Sequence, residues 1–223
     1  MTGYKLVMLK DLLEELGEDG TKSILSSFSC PLNADVEMFL RDKAILFEVR
    51  RFSSTYLIFA SFRNELQLAG YFTLASKHFV IPDKATKSHD SRGKVTGPSK
   101  ALIKKLKNFG TYDEMLKQHT ISAPLIGQLG RNFASGDGDI KLITGDELLK
   151  IACDKVREGQ SFFGGRFVYL ECEDKPKLID FYSDNGFVEF GKRNLESDER
   201  DLMSGEYLVQ MLKDLKPKSL GSQ

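Results

Sequence analysis

Phe181-Tyr182-Ser183-Asp184-Asn185-Gly186-Phe187 is the stretch from which the fold is read. Lys177 to Ser183 has the spacing of a helix. Asn185-Gly186 closes it as a left-handed cap, since glycine takes a positive φ with no Cβ penalty. Immediately upstream, Arg166-Phe167-Val168-Tyr169-Leu170 is almost wholly apolar, as expected of a buried central strand. Downstream, Phe187 to Phe190 and Tyr207 to Leu212 read as two final strands.

Upstream of this stretch, Thr120 to Arg131 reads as another strand, ending at Leu129-Gly130-Arg131. The glycine-rich loop Gly136-Asp137-Gly138-Asp139 follows it. Thr144 or Gly145 then starts a helix with Leu148, Leu149, Ala152 and Val156 on one side. A helix start after such a loop turns free N–H groups and a positive dipole end toward it, which suits a phosphate or pyrophosphate. Nearer the N-terminus, Tyr4 to Leu9 reads as a first strand and Asp11 to Leu16 as a short helix ended near Gly17. A second helix begins after Pro31, capped by Asn33 or Asp35, with Val36, Phe39, Leu40, Ala44 and Phe47 at helical spacing. Thr55 to Ala60 and Gln67 to Ser76 read as an antiparallel pair about a turn at Asn64-Glu65. The order is mixed α/β, in one domain.

Among the 223 residues, 32 Lys and Arg balance 32 Asp and Glu, which excludes a uniformly basic nucleic-acid binder. The balance is local only in part. Residues 77 to 107 carry +7, and residues 171 to 206 carry −6. Pro82, Gly93, Gly97 and Pro98 mark the basic stretch as partly loop, and Ser99 caps a short basic helix. Such a run is either a solvated face or a patch that tracks phosphates. Cys30, Cys153 and Cys172 are odd in number and widely spaced, so a reducing, cytoplasmic setting is expected. The N-terminal apolar run is cut at Lys10 and Asp11, and no run spans a bilayer. His78, His89 and His119 have no partners at metal-ligand spacing. Neither a nucleophile elbow nor a phosphate-binding Gly-Lys-Ser/Thr loop occurs.

From about Ser122 to Phe190 the chain resembles the GNAT (GCN5-related N-acetyltransferase) superfamily. Tyr182-Ser183-Asp184-Asn185-Gly186-Phe187 matches its Tyr-x-x-x-Gly-Phe signature, and Gly145-Asp146-Glu147-Leu148-Leu149 its helix start after the pyrophosphate loop. Cys172-Glu173-Asp174 is expected in the turn after the fifth strand. The resemblance implies an α/β fold: a mixed, mostly antiparallel central sheet, splayed between strands 4 and 5 and flanked by helices. It implies one acetyltransferase domain over residues 1–215, with a basic insertion at about 77–119 and a tail at 216–223.

The resemblance also implies acetyl-CoA as cosubstrate and a primary amine as acceptor, on a small molecule, a protein or an aminoacyl-tRNA. No membrane partner is implied, and a homodimer is allowed. Leu129, Gly130 and Arg131 would offer backbone groups to the pantetheine amides. Ile143, Thr144, Gly145 and Asp146, with Lys141, would line the pyrophosphate, and Phe181 would touch the cofactor. Tyr182 would be the general acid for the departing thiolate, since a phenol of pKa near 10 is protonated at neutral pH. Residues 120 to 132 hold no Asp or Glu, so the family's fourth-strand base is missing; Glu171 and Glu173 are the fallback. An α-amine, at about 7.7–8.0, needs less help than a lysine amine. In this, and in Ala123-Pro124-Leu125-Ile126-Gly127-Gln128-Leu129-Gly130, the chain resembles a toxin branch that acetylates aminoacyl-tRNA. A non-catalytic RNA- or protein-binding module on the same fold is the alternative.

Overall fold

A computed structural model describes residues 3–82, 88–89, 93, 95–134, 141–196 and 205–216. The glycine-rich loop at 136–139, the basic residues Lys84, Lys87, Arg92 and Lys94, and the tail from 217 lie outside the described residues. The chain divides into two compact units, Met1–Ala75 with Ile126–Asp154, and Ser76–Leu125 with Lys155–Gln223.

In the first unit, Tyr4–Met8 (β1) pairs antiparallel with Ser54–Phe62 (β2). β2 pairs antiparallel with Glu65–Pro82 (β3), with a bulge between Ile58 and Phe59. The turn centres on Arg63 and Asn64, both at positive φ, as the right-handed twist of a tight hairpin demands. β3 reaches beyond Ser76 to Pro82: Lys77, the first residue of the basic stretch, continues it, with Phe79 and Ile81 buried between exposed neighbours. The long strand Gln118–Arg131 (β7) completes this unit with its second half.

Helix α1 runs from Leu9 to Ser26 and does not stop at Gly17 as expected. Gly17 takes φ +69°, the chain kinks, and the helix resumes. The Thr21 hydroxyl donates to the Gly17 carbonyl at 2.7 Å, satisfying a group that the kink frees. Burial of Leu25 in the core favours the second segment. Asn33 caps Ala34–Met38 (α2), accepting from the N–H groups of Asp35 and Val36. A π-helical turn, Phe39–Lys43, joins α2 to Ala44–Val49 (α3). Phe28, Leu40, Leu57 and Tyr71 form the centre of this core, Phe28 meeting Tyr71 edge-on at 5.1 Å. The Tyr71 phenol donates to the Val36 carbonyl at 2.5 Å.

The second unit is built on Phe167–Glu173 (β8), Val188–Asn194 (β9) and Tyr207–Asp214 (β10). β10 lies between β8 and β9 and is antiparallel to both. Phe167 and Tyr169 of β8 pack with Phe79, Ile81, Ile121, Phe190 and Leu212. β8 extends through Cys172 and Glu173, which were expected in the following turn; Cys172 is buried in the strand. Lys100–Lys107 (α4) is the basic helix, capped by the Ser99 hydroxyl. Three further short strands are Ser88–His89 (β4) with Val95–Thr96 (β5), and Thr111–Asp113 (β6) on β7. Gly145–Phe163 (α5) and Pro176–Asp184 (α6) complete the elements, and Gly186 takes φ +80° after α6 as its cap requires. The main sheet has eight strands in the order β1-β2-β3-β7-β8-β10-β9, with β6 on β7. That is the mostly antiparallel α/β sheet expected.

Gly130 stands where α2 meets β7. A Cβ there would lie 2.4 Å from Val36 Cγ1 and 3.2 Å from Phe28 Cζ. Gly130→Ala is therefore expected to cost about 1–3 kcal/mol through overpacking. A fall in the urea midpoint with an unchanged slope is the readout, and an unchanged midpoint would contradict this packing.

Candidate functional site

Two hydrogen bonds establish which way the backbone of β7 faces. The Gln128 N–H donates to Thr73 Oγ1 at 2.9 Å, and the Asn132 N–H to the Ala69 carbonyl at 2.8 Å. Residues 128 and 132 thus turn their backbone polar groups toward β3. Alternation along a strand turns those of Gly127, Leu129 and Arg131 to the opposite edge. In the order of the first unit's strands, β7 is outermost, so among the described residues no strand of that unit lies along this edge. The outward N–H and C=O groups of Leu129 and Arg131 have the spacing along a strand edge with which an added strand pairs. Gly130 differs from its neighbours: its carbonyl is turned to β3, and a Cβ on Gly70 would come within 2.9 Å of it. Its contribution is space for Val36 and Phe28.

At the start of α5 the Thr144 hydroxyl accepts from the Glu147 N–H at 3.2 Å. The Glu147 carboxylate accepts from the Thr144 N–H at 2.9 Å and its hydroxyl at 2.8 Å. This is a capping box. It leaves Gly145 and Asp146 as the first turn, with Lys141 and Asp146 exposed and Ile143 buried beneath. The Thr144 N–H, one of the expected phosphate donors, is engaged by Glu147. That N–H and the Thr144 hydroxyl hold the Glu147 carboxyl below its ordinary pKa, and the Tyr4 phenol adds a hydrogen bond. A depressed carboxyl stabilises the fold above its unfolded-state pKa and loses that contribution as pH falls through the folded value. Glu147→Gln should therefore melt below the parent at neutral pH, and the gap should close in acid. A gap independent of pH would show that the charge is not what matters.

In the second unit, Tyr182 is partly buried between Phe181, at 4.9 Å between ring centroids, and Phe187, at 5.9 Å. Loss of hydration, then the neighbouring Cys172, push its phenol well above the ordinary value. Burial likewise pushes the Cys172 thiol up to about 12. These surroundings oppose a thiolate. The fallback bases are both engaged: Glu171 with Arg193 at 2.8 Å and with Gln210 at 2.8 Å, and Glu173 with Lys175 at 2.7 Å. A recess of about 420 Å³ in this unit is lined by Ser76, Lys77, His78, Phe109, Thr111, Thr120 and Ser122.

Sequence reading missed two residues. Asn132 uses its whole amide to anchor the end of β7. Asp35, 8% exposed, accepts from Gln128 Nε2 at 2.8 Å. Asp35 carried only a capping signal in the sequence, and nothing in a linear pattern relates it to a strand 93 residues away.

No protein-family model matches the sequence, and no curated protein matches it. Solved structures do. A tyrosine-to-phenylalanine mutant of the AtaT toxin is similar at TM-score 0.56 and 16% identity, over 95% of this chain and 89% of that one. AtaT complexed with acetyl-methionyl-tRNAfMet is similar at 0.56 and 18%, over 93% and 94%. A tyrosine-to-phenylalanine mutant of KacT is similar at 0.56 and 15%, over 94% of each chain. At these identities the likeness is one of fold: across nearly its whole length, the chain has the fold of the AtaT and KacT toxins.

Proposed function

We propose that the chain is an N-acetyltransferase that moves the acetyl group of acetyl-CoA to a primary amine, the α-amine of an aminoacyl-tRNA. The observation that carries this reading is the outward edge of β7 at Gly127, Leu129 and Arg131, in a fold shared with AtaT, which has been solved with acetyl-CoA and with acetyl-methionyl-tRNAfMet. In this reading pantetheine pairs along that edge. The start of α5, with Ile143, Thr144, Gly145, Asp146 and Lys141, receives the pyrophosphate. Phe181 lies against the cofactor.

The chemistry is direct transfer. The amine nitrogen attacks the thioester carbonyl, the C–S bond breaks, and the departing sulfur takes a proton from Tyr182, which solvent then restores. Burial keeps the Tyr182 phenol in its protonated, donor form at neutral pH. Burial raises the phenol and would raise a thiolate beside it alike, so the donor and the group it protonates stay near each other in basicity. Tyr182→Phe should lower turnover by about 10²–10⁴. Calorimetric binding of acetyl-CoA should persist; undiminished turnover would remove Tyr182 from the mechanism.

An RNA-borne acceptor is supported by α4. Lys100 and Lys104 are exposed there while Leu106 is buried, and Lys105 is held by Asp214. Charge reversal of Lys100 and Lys104 together should weaken tRNA binding by about tenfold or more. The salt dependence should flatten by about one unit for each phosphate that is no longer neutralised. Transfer to a small primary amine should survive. Unaltered tRNA affinity in this variant would place the RNA on another surface.

A further inference from the structure

Residues 120 to 132 provide no carboxylate of their own, yet one is delivered to a β7 side chain. Asp35 sits in the first turn of α2, where the Asn33 side chain accepts from its N–H at 3.0 Å. Its Oδ2 accepts from Gln128 Nε2 at 2.8 Å. Gln128 lies between Gly127 and Leu129, the residues whose backbone groups face outward, and one residue of strand is only about 3.3 Å. Its side chain stands on the same face as Gly130, the face that α2 covers. With Nε2 engaged by Asp35, the Gln128 amide has one orientation, and its Oε1 is an acceptor beside the carboxylate.

Among the described residues, one side-chain donor reaches the Asp35 carboxylate. It is buried, and among the described residues no side-chain cation pairs with it. The nearby charges are committed elsewhere. Arg41 pairs with Glu37 at 2.9 Å and donates to the Phe28 carbonyl, Glu37 also accepts from the Cys30 N–H at 2.6 Å, and the Arg131 guanidinium stacks on Phe133 at 4.0 Å. The Tyr71 phenol is turned to the Val36 carbonyl. A buried carboxylate with one amide donor and no cation is costly to keep, and a bound cation that also donates hydrogen bonds offsets that cost. One carboxylate and one amide oxygen are too few for a metal, but they match the N–H donors of a primary ammonium.

We infer that Asp35 and Gln128 together bind the acceptor's primary amine. This rests on the transferase reading above. Asp35 holds the ammonium and Gln128 Oε1 accepts a second N–H; the nitrogen first gives one proton to Asp35, which passes it to solvent, then attacks as the neutral amine and loses its second proton by the same route as the C–S bond breaks. The missing fourth-strand base is thereby replaced by a side chain from a helix.

The test uses the full chain, acetyl-CoA and methionyl-tRNA. Asp35→Asn keeps the shape and should lower kcat/KM for the acceptor by about 100-fold. Acetyl-CoA affinity and melting temperature should stay near the parent's. A tRNA carrying the α-hydroxy analogue should compete poorly against the parent and as well as the aminoacyl form against Asp35→Asn. Gln128→Met, which removes only the second acceptor, should raise KM about tenfold with little change in kcat, and it serves as the variant if Asp35→Asn does not fold. A kcat/KM within about threefold of the parent in both variants would overturn the site. So would loss of acetyl-CoA affinity in step with activity, since that is what a structural role produces. If the parent acetylates another primary amine but no aminoacyl-tRNA, the acceptor reading above falls, and the same variants measured on that amine decide the site. If it acetylates no amine, both fall.

Discussion

The first unit depends on one buried amide. Asn132 Oδ1 accepts from the Ser29 N–H at 2.8 Å and the Ala134 N–H at 3.0 Å, and Nδ2 donates to the Leu68 carbonyl at 2.9 Å and the Ser27 carbonyl at 3.2 Å. All four hydrogen-bonding positions of the side chain are filled. They bind the end of β7 to β3 and to the segment between α1 and α2. Together with the Tyr71 bond to Val36 and the Gln128 bond to Asp35, they hold Gly130 close to Val36 and Phe28. A side chain of another shape would leave buried backbone groups unpaired, each at about 1–3 kcal/mol. The outward edge of β7 and the seat of Asp35 are both placed by this anchor.

From that anchor the chemistry divides by type of polar group. Along β7 the useful groups are backbone N–H and C=O, which need a straight, well-held strand and no particular side chains. At the start of α5 the useful groups are again backbone, but a carboxylate competes for one of them. Glu147 stabilises the helix and draws away the Thr144 N–H, so any anion approaching there meets Gly145, Asp146 and Lys141 first. At Asp35 and Gln128 the polar groups belong to side chains, the first buried and the second half-buried.

How much of this was legible in the sequence depended on distance along the chain. Caps announce themselves locally: Asn33, Ser99 and Gly186 each act within three residues, Ser99 and Gly186 as single candidates and Asn33 as one of two with Asp35. The apolar run at Phe167 to Leu170 was legible as a central strand because burial on both faces leaves no alternation to misread. Gly17 misled, because a glycine that ends a helix and one that kinks it look alike; Thr21 and the buried Leu25 decide the matter. Lys77 and its neighbours misled in the same way, since charge suggests loop while Phe79 and Ile81 hold the strand in place. The tyrosine and helix-start motifs are local patterns and could be found. Asp35 against Gln128 and Asn132 against Ser29 are pairings of distant segments, which no periodicity encodes.

The position of β10 bears on how the protein is made. The last strand in the sequence, Tyr207–Asp214, lies between β8 and β9, both of which precede it. During synthesis, β8 and β9 emerge with no partner for their facing edges until residues 207–214 have followed. Exposed strand edges are templates for wrong pairing. A nascent chain stalled before Tyr207 cannot close the second unit, so Tyr182 and its aromatic neighbours acquire their setting only once the final strand has been threaded between two older ones.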